Sequence, residues 1–300
     1  MPMKKLAFAL FYLTGLTRLA AWCHRKRVVF LCYHGVTERP QRSPTDSTGL
    51  HVNRQRFVAQ LDFLVRRYHF VSLEEYLQAS QAGRRLPNYS LLLTFDDGFR
   101  NFLTVAAPLL SARQIPATVF LITGNAESTS NEMPETWQPR DDTTYLSWRE
   151  AKFLREKYQI DFGSHTCSHS PLMSLSQPEI VRELRQSRED LTRNLGIDYA
   201  ALSYPKGERS QMLAAAARKQ GYSCAVTTER GANEMEHDLF TLGRTLIGDA
   251  DDKVSLAVRV SGVRHWIAFL RDLFVSQPKR DPVGHEVLVP QGEAKFQLLD

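Results

Sequence analysis

Leu91-Leu92-Leu93-Thr94-Phe95-Asp96-Asp97-Gly98 is an apolar run that closes on two adjacent carboxylates and a glycine. Its length, its Thr and Phe, and the Pro87-Asn88 before it give it the punctuation of an inner parallel strand. Two neighbouring Asp at a strand end repel each other, so one pKa rises or a cation is recruited. The demand for a cation directs attention to Gly163-Ser164-His165-Thr166-Cys167-Ser168-His169. Its two imidazoles stand four positions apart, which on a helical turn would put both on one side, within reach of one ion.

Outward from these stretches, short apolar runs alternate with amphipathic segments from Val28 to Ile247, the pattern of an α/β fold around a mostly parallel sheet. Strands are expected at Val28–Tyr33, Ala117–Ile122, Ile160–Gly163, Ala200–Tyr204, Ser223–Val226 and Leu239–Ile247. Asn53 and Ser72 read as caps of helices, and Ser147-Trp148-Arg149-Glu150 and Ser176-Gln177-Pro178-Glu179 as capping boxes. Further helices are expected over Phe99–Arg113 and Gln211–Gln220. The polar stretch 39–49 reads as a loop, and 123–145 as a long connection bordering a substrate groove. Sites in such folds collect at the carboxyl ends of the strands, where Asp96, Asp97, His165 and Tyr204 would meet.

The chain of 300 residues is long enough for one sizeable core. Its formal charge of +5 is concentrated at the front. Lys4, Lys5, Arg18, Arg25, Lys26 and Arg27 stand in residues 1–27 without an acid, leaving the rest close to neutral, which argues against a nucleic-acid partner. Cys23, Cys32, Cys167 and Cys224 form no disulfide framework. Leu6–Trp22 is mostly apolar, and three readings stand side by side: a signal peptide, a spanning anchor, or an uncleaved interfacial helix with Thr14, Thr17, Arg18 and Arg25 on its polar side. The last implies membrane-surface contact through residues 1–27 and a membrane-associated or cell-envelope location; simple packing against the domain is the bland alternative. The expected organisation is therefore 1–27 as this basic, apolar segment, 28–250 as the catalytic domain, 251–276 as an amphipathic helix (Lys253–Val275), and 277–300 as a loose tail.

The pairing of Thr94-Phe95-Asp96-Asp97-Gly98 with Ser164-His165-Thr166-Cys167-Ser168-His169 resembles the polysaccharide deacetylase family, also called the NodB homology domain, over roughly residues 28–247. Tyr33-His34-Gly35-Val36 and Tyr204-Pro205-Lys206-Gly207 are similar to a bacterial branch of it with YHxV and YPxG segments. The resemblance implies a distorted, incomplete (β/α) barrel and a hydrolase removing acetyl groups, N-acetyl before O-acetyl, from a glycan. It implies Asp97, His165 and His169 as ligands of one divalent ion, Zn²⁺ with Co²⁺ or Ni²⁺ as alternatives, and Asp96 as general base. Tyr204 matches the position whose backbone N–H serves the oxyanion.

Two features of better-known members are missing. The arginine that orients the base would fall at Ala201 or Leu202; Arg244 is the candidate substitute, near base, oxyanion and substrate. No terminal leucine-histidine motif supplies a general acid, and His237 and His265 lie in the wrong surroundings, so His34 is the candidate. Cys167 reads as packing, and a closed zinc site of Cys32, Cys167, His165 and His169 lacks ligand spacing. The alternatives are a glycan-binding pseudoenzyme that keeps the metal, and a related amidohydrolase acting on a lipid-linked sugar.

Overall fold

The computed structural model describes residues 3–38, 50–128, 144–198, 200–229, 231–263 and 266. They fall into two compact units, one within Met1–Cys23 and Val254–Asp300, the other within His24–Lys253.

The smaller unit opens with helices α1 (Met3–Leu13) and α2 (Leu16–Cys23), bent by 74° at the break between them. Leu6–Trp22 is therefore not one helix. Thr14 Oγ1 donates to Leu10 O at 2.7 Å, and Gly15 takes φ +79°, which ends the first helix. Thr17 is buried, so the polar side expected of Thr14, Thr17 and Arg18 does not exist as a face. Among the described residues no single helix is long and apolar enough to cross a membrane.

The larger unit is built on a parallel sheet curled into an open half barrel. Its strands are β1 (Val28–Tyr33), β4 (His69–Phe70), β5 (Ser90–Phe95), β6 (Ala117–Leu121), β7 (Asp161–Ser164), β8 (Ala200–Ser203), β9 (Tyr222–Val226), β10 (Ala232–Asn233) and β11 (Thr245–Leu246); β2 (Val36–Thr37) and β3 (Val52–Asn53) pair separately. The order is β10-β1-β5-β6-β7-β8-β9, with β4 also on β5 and β11 also on β1. Only β10 runs antiparallel to its neighbour. Strands β1, β5 and β6 are buried at every position, as continuous apolar runs covered on both faces must be. Phe30, Tyr76, Leu92, Phe120 and Val226 belong to one cluster within that core, and each such side chain contributes about 1.5–3 kcal/mol by leaving water.

The helices are α3 (Arg54–Val65), α4 (Leu73–Gln81), α5 (Ala107–Ser111), α6 (Thr123–Ser128), α7 (Trp148–Tyr158), α8 (Gln177–Leu195) and α9 (Gln211–Lys219). Asn53 and Ser72 cap α3 and α4. Glu150 and Glu179 reach back to the amides of Ser147 and Ser176, closing the starts of α7 and α8.

Two expectations need correction. The helix over Phe99–Arg113 is a π-helical turn, Phe102–Ala106, running into α5 with Pro108 in its first turn. The strand over Leu239–Ile247 shrinks to β11 plus a bridge between Val226 and Leu242, because Asp238 draws the chain into a turn through Phe240 N and Thr241 N. Of the terminal helix expected over Lys253–Val275, α10 covers Lys253–Ser261, Gly262 takes φ +76°, and residues 264–265 and 267–275 lie outside the described residues. Val258 and Val263 there pack with Phe8 and Ala20 in the smaller unit. The loop 39–49, most of the expected groove segment (129–143) and the tail 277–300 lie outside the described residues.

Candidate active site

The ends of β5, β7 and β8 deliver the site. Asp96 is held at the mouth by its N–H, which donates to Tyr33 O. Asp97 and Gly98 then adopt φ +70° and +71°, turning the chain sharply so that the two carboxylates diverge. A Cβ on Gly98 would stand 2.5 Å from Leu121 Cδ2, so this turn requires glycine.

The two histidines are not on a helical turn. They sit on a loop whose Thr166 and His169 have φ +65° and +59°, and strain replaces helix periodicity in bringing the rings together, with centroids 4.6 Å apart. Of the seven non-glycine residues with positive φ, Asp97, Thr166, His169 and Lys206 all belong to this site, and such strain persists only where surrounding structure over-determines it. That structure is visible. His165 N donates to Leu121 O, Thr123 N to Thr166 O and Gly124 N to Cys167 O. Glu183 of α8 accepts from Cys167 N, Ser168 N and Ser168 Oγ at 2.8–3.0 Å.

Asp97 Oδ1 lies 3.5 Å from His165 Nε2 and 3.7 Å from His169 Nε2. Ligands at zinc-like bond lengths around a tetrahedral ion stand about 3.4 Å apart, so the trio fits one divalent cation with open positions left over. Three further observations agree. Asp97 Oδ1 is buried without a hydrogen-bond partner. Burial, then the charge of Asp96, pushes the Asp97 carboxyl up to about 7, the mark of an acid lacking a counter-charge. Burial also pulls His165 down to about 4, against the attraction of Asp96, so it stands as a neutral ligand. Its Nδ1 faces Ser203 O at 2.8 Å, which turns Nε2 toward the trio.

Asp96 faces elsewhere. Arg244 Nη1 and Nη2 donate to its Oδ1 and Oδ2 at 2.7 and 2.6 Å. The guanidinium also donates to Thr94 Oγ1, Ser203 Oγ and Thr227 O, so all five N–H groups have acceptors. Burial alone would raise the Asp96 pKa, but the Arg244 charge, His165 and the Arg244 hydrogen bonds hold it well below the usual range. Arg244 is wholly buried and does not line the cavity; it contacts Asp96 and not the substrate or oxyanion position expected of it.

His34, Cys32 and Asp96 also converge, with ligand atoms within 4.8 Å of one another. Arg244 already neutralises that corner and burial raises the Cys32 thiol well above its usual value, so the chemistry there does not suit a cation. Cys167 joins no such group among the described residues. His34 Nδ1 is buried without a partner, and burial pulls its pKa to about 4 against the opposing charge of Asp96.

Tyr204 does not offer the expected oxyanion donor. Its N–H donates to Val226 O at 3.1 Å and its hydroxyl to Phe240 O at 3.3 Å. The residue after Pro205 is Lys206, which has a left-handed backbone and lines the cavity. The cavity holds about 380 Å³ and is bounded by His34, Asp96, Asp97, His165, His169 and Lys206 together with Leu50, His51, Phe99 and Leu246. Phe99 stacks on Tyr145 at 5.3 Å, so the visible end of the expected groove segment reaches the wall of the site.

A polysaccharide deacetylase family model matches residues 83–225, and over that segment the chain resembles the family. It is similar to the poly-β-1,6-N-acetyl-D-glucosamine N-deacetylase of Staphylococcus aureus, 26% identical over 207 residues, covering 66% of this chain and 68% of the relative. Among solved structures it resembles the Streptococcus pyogenes deacetylase PplD in complex with acetate, with 26% identity, TM-score 0.67, and coverage of 78% of this chain and 98% of that one. IcaB from Ammonifex degensii shares the fold at TM-score 0.62 and 24% identity, over 79% and 97% of the two chains.

Proposed function

We propose that this protein is a metal-dependent carbohydrate deacetylase that hydrolyses N-acetyl groups on a glycan, with a β-1,6-linked N-acetylglucosamine polymer as the substrate class its relatives suggest. The observation that carries the reading is the division of labour between the adjacent acids: Asp97 turns to His165 and His169, while Asp96 is clamped by Arg244.

A divalent ion held by Asp97, His165 and His169 supplies a Lewis acid for the acetyl carbonyl and acidifies water; two imidazoles and one carboxylate suit Zn²⁺, with Co²⁺ or Ni²⁺ as substitutes. Asp96, fixed in direction by the Arg244 fork, takes the proton of the attacking water. The water oxygen bonds to the carbonyl carbon, and the C–N bond breaks once the nitrogen is protonated. His34 delivers that proton. Its depressed pKa means that it must first receive one, and a ring nitrogen within 4.8 Å of an Asp96 oxygen is placed to do so. Lys206 N–H serves the oxyanion, since the Tyr204 amide is engaged and Pro205 has none; such a donor is worth about 3 kcal/mol. Products are acetate and the free amine. The cavity volume is at the small end of ligand sites, which suits one sugar unit at a time.

The Arg244 clamp answers one of the two absences behind the pseudoenzyme reading, the arginine, and His34 is the candidate that answers the other, the terminal histidine. The test is acetate release from β-1,6-linked N-acetylglucosamine oligomers by protein stripped with chelator and resupplied with Zn²⁺. Restored release supports the reading; tight binding of one metal per chain with no release from any acetylated sugar overturns it.

A further inference from the structure

Six of the nine exposed large apolar side chains among the described residues lie in the first 22 positions: Leu6, Leu10, Leu13, Leu16, Leu19 and Trp22. Leu6, Leu10 and Leu13 recur at spacings of four and three along α1, so they share one face, and Leu13 is 81% exposed. They are not a misplaced core. Phe8, on the opposite side of α1, is the buried residue, packed with Ala20 of α2 and with Val258 and Val263. On α2 the buried residues are Thr17 and Ala20, and Leu19 and Trp22 are exposed. Each helix therefore has an inner face already covered and an outer apolar face in water, the reverse of what burial energetics favours for a helix standing alone in solvent.

The charge around this face has one sign. Among the described side chains of the smaller unit the charged ones are Lys5, Arg18 and Arg259, with no Asp or Glu. Lys5 and Arg18 are exposed beside Leu6 and Leu19. An exposed apolar face with cations beside it is complementary to a surface that is apolar within and anionic at its edge. Neither helix alone is long enough to span a bilayer of about 30 Å, and the 74° bend between them at Gly15 separates their axes.

We propose that α1 and α2 dock on an anionic lipid surface, lying in its headgroup region with Leu6, Leu10, Leu13, Leu19 and Trp22 inserted and Lys5 and Arg18 on phosphate. The inference is independent of the deacetylase reading, because docking is measured without turnover.

The test is co-sedimentation of the full chain with vesicles of phosphatidylglycerol and phosphatidylcholine, and of phosphatidylcholine alone, for wild type, Leu10→Glu/Leu13→Glu and Lys5→Glu/Arg18→Glu. The expected result is a drop of at least ten-fold in affinity for the anionic vesicles in either variant, weaker binding of wild type to phosphatidylcholine alone, and quenching by brominated acyl chains that is lost in Trp22→Phe. Melting curves matching wild type show that each variant is folded; a variant that melts early is replaced by Leu10→Ser or Lys5→Ser. Undiminished binding by the folded variants overturns the proposal, as does no binding to anionic vesicles. A concentration-dependent dimer abolished by Leu10→Glu/Leu13→Glu would give the face to a second copy, and removal of the first residues from the cell-derived protein would give it to the secretion apparatus; either result overturns it.

Discussion

Replacing Arg244 by lysine separates charge from geometry at the base. The guanidinium satisfies five acceptors: Asp96 Oδ1, Asp96 Oδ2, Thr94 Oγ1, Ser203 Oγ and Thr227 O. A lysine keeps the positive charge but has three donors on a point centre, so at least two buried acceptors lose a partner. At about 1 kcal/mol or somewhat more for each bond lost, Arg244→Lys should cost ~2–3 kcal/mol of stability, and a drop in Tm of about 5–10 °C for a unit of this size. Arg244→Met should cost more, ~3–5 kcal/mol, because it leaves the Asp96 charge buried and alone. The double variant Asp96→Asn/Arg244→Met removes both charges and should recover much of that loss, without recovering activity. Calorimetric melting gives the stability cycle; acetate release gives kcat and KM. A base that has lost its orientation should lower kcat by about 10²-fold or more with KM little changed. If Arg244→Lys melts within 1 °C of wild type and turns over at the wild-type rate, the five-bond clamp is not what holds Asp96 in working position.

Three further outcomes follow from the same structure. Glu183→Ala removes the carboxylate that gathers Cys167 N, Ser168 N and Ser168 Oγ, and should weaken metal binding about 10–100-fold by calorimetry; unchanged affinity would mean that the loop holds its shape without it. His34→Ala should lower kcat by about 10²–10⁴ while leaving metal affinity alone, and full turnover would remove His34 from the proton path. Asp161 is raised to about 6 by burial, then by Glu74, with Arg155 opposing. The folded state therefore binds its proton more tightly than the unfolded chain, so the associated stability is complete below about pH 4 and lost as pH rises through 6. A shift of that size is worth up to about 3 kcal/mol, or ~1–2 once partial exposure is discounted. Asp161→Asn should thus raise Tm at pH 7.5 and leave it unchanged at pH 4, and an equal shift at both would refute the assignment.

The sheet was legible where strands are buried on both sides, because Val28–Tyr33 and Leu91–Phe95 have no polar face to obscure them. Capped helices were legible because Ser147 and Ser176 carry their glutamates at fixed spacing. The end of the sheet was not: the turn at Asp238 depends on side-chain bonds to backbone that hydrophobic pattern does not encode. Within the site, the identities of Asp97, His165 and His169 could be read, but not the means of their convergence. A helical spacing suggests a helix, and the chain instead uses left-handed Thr166 and His169, a conformation that β-branched Thr disfavours and that His visits only as a minority state. Arg244 could be named only as a candidate, because its approach to Asp96 spans 148 residues and depends on the sheet closing. Tyr204 matches the oxyanion position only through its aromatic ring, and the pairing of its amide with Val226 O depends on a strand neighbour that the local motif does not encode.

That span has a bearing on where the chain can be cut. The recognisable family segment, 83–225, contains Asp96 and the three candidate ligands, yet excludes Arg244, His34 and β1, the strand on which β5, β10 and β11 all pair. A fragment trimmed to its most recognisable part would carry a buried acid with no counter-ion, on a sheet whose β5 edge has lost its covering strands. The working unit of inheritance and of expression must therefore run at least from Val28 to Leu246. During synthesis the base is unfinished until the last tenth of that stretch has left the ribosome.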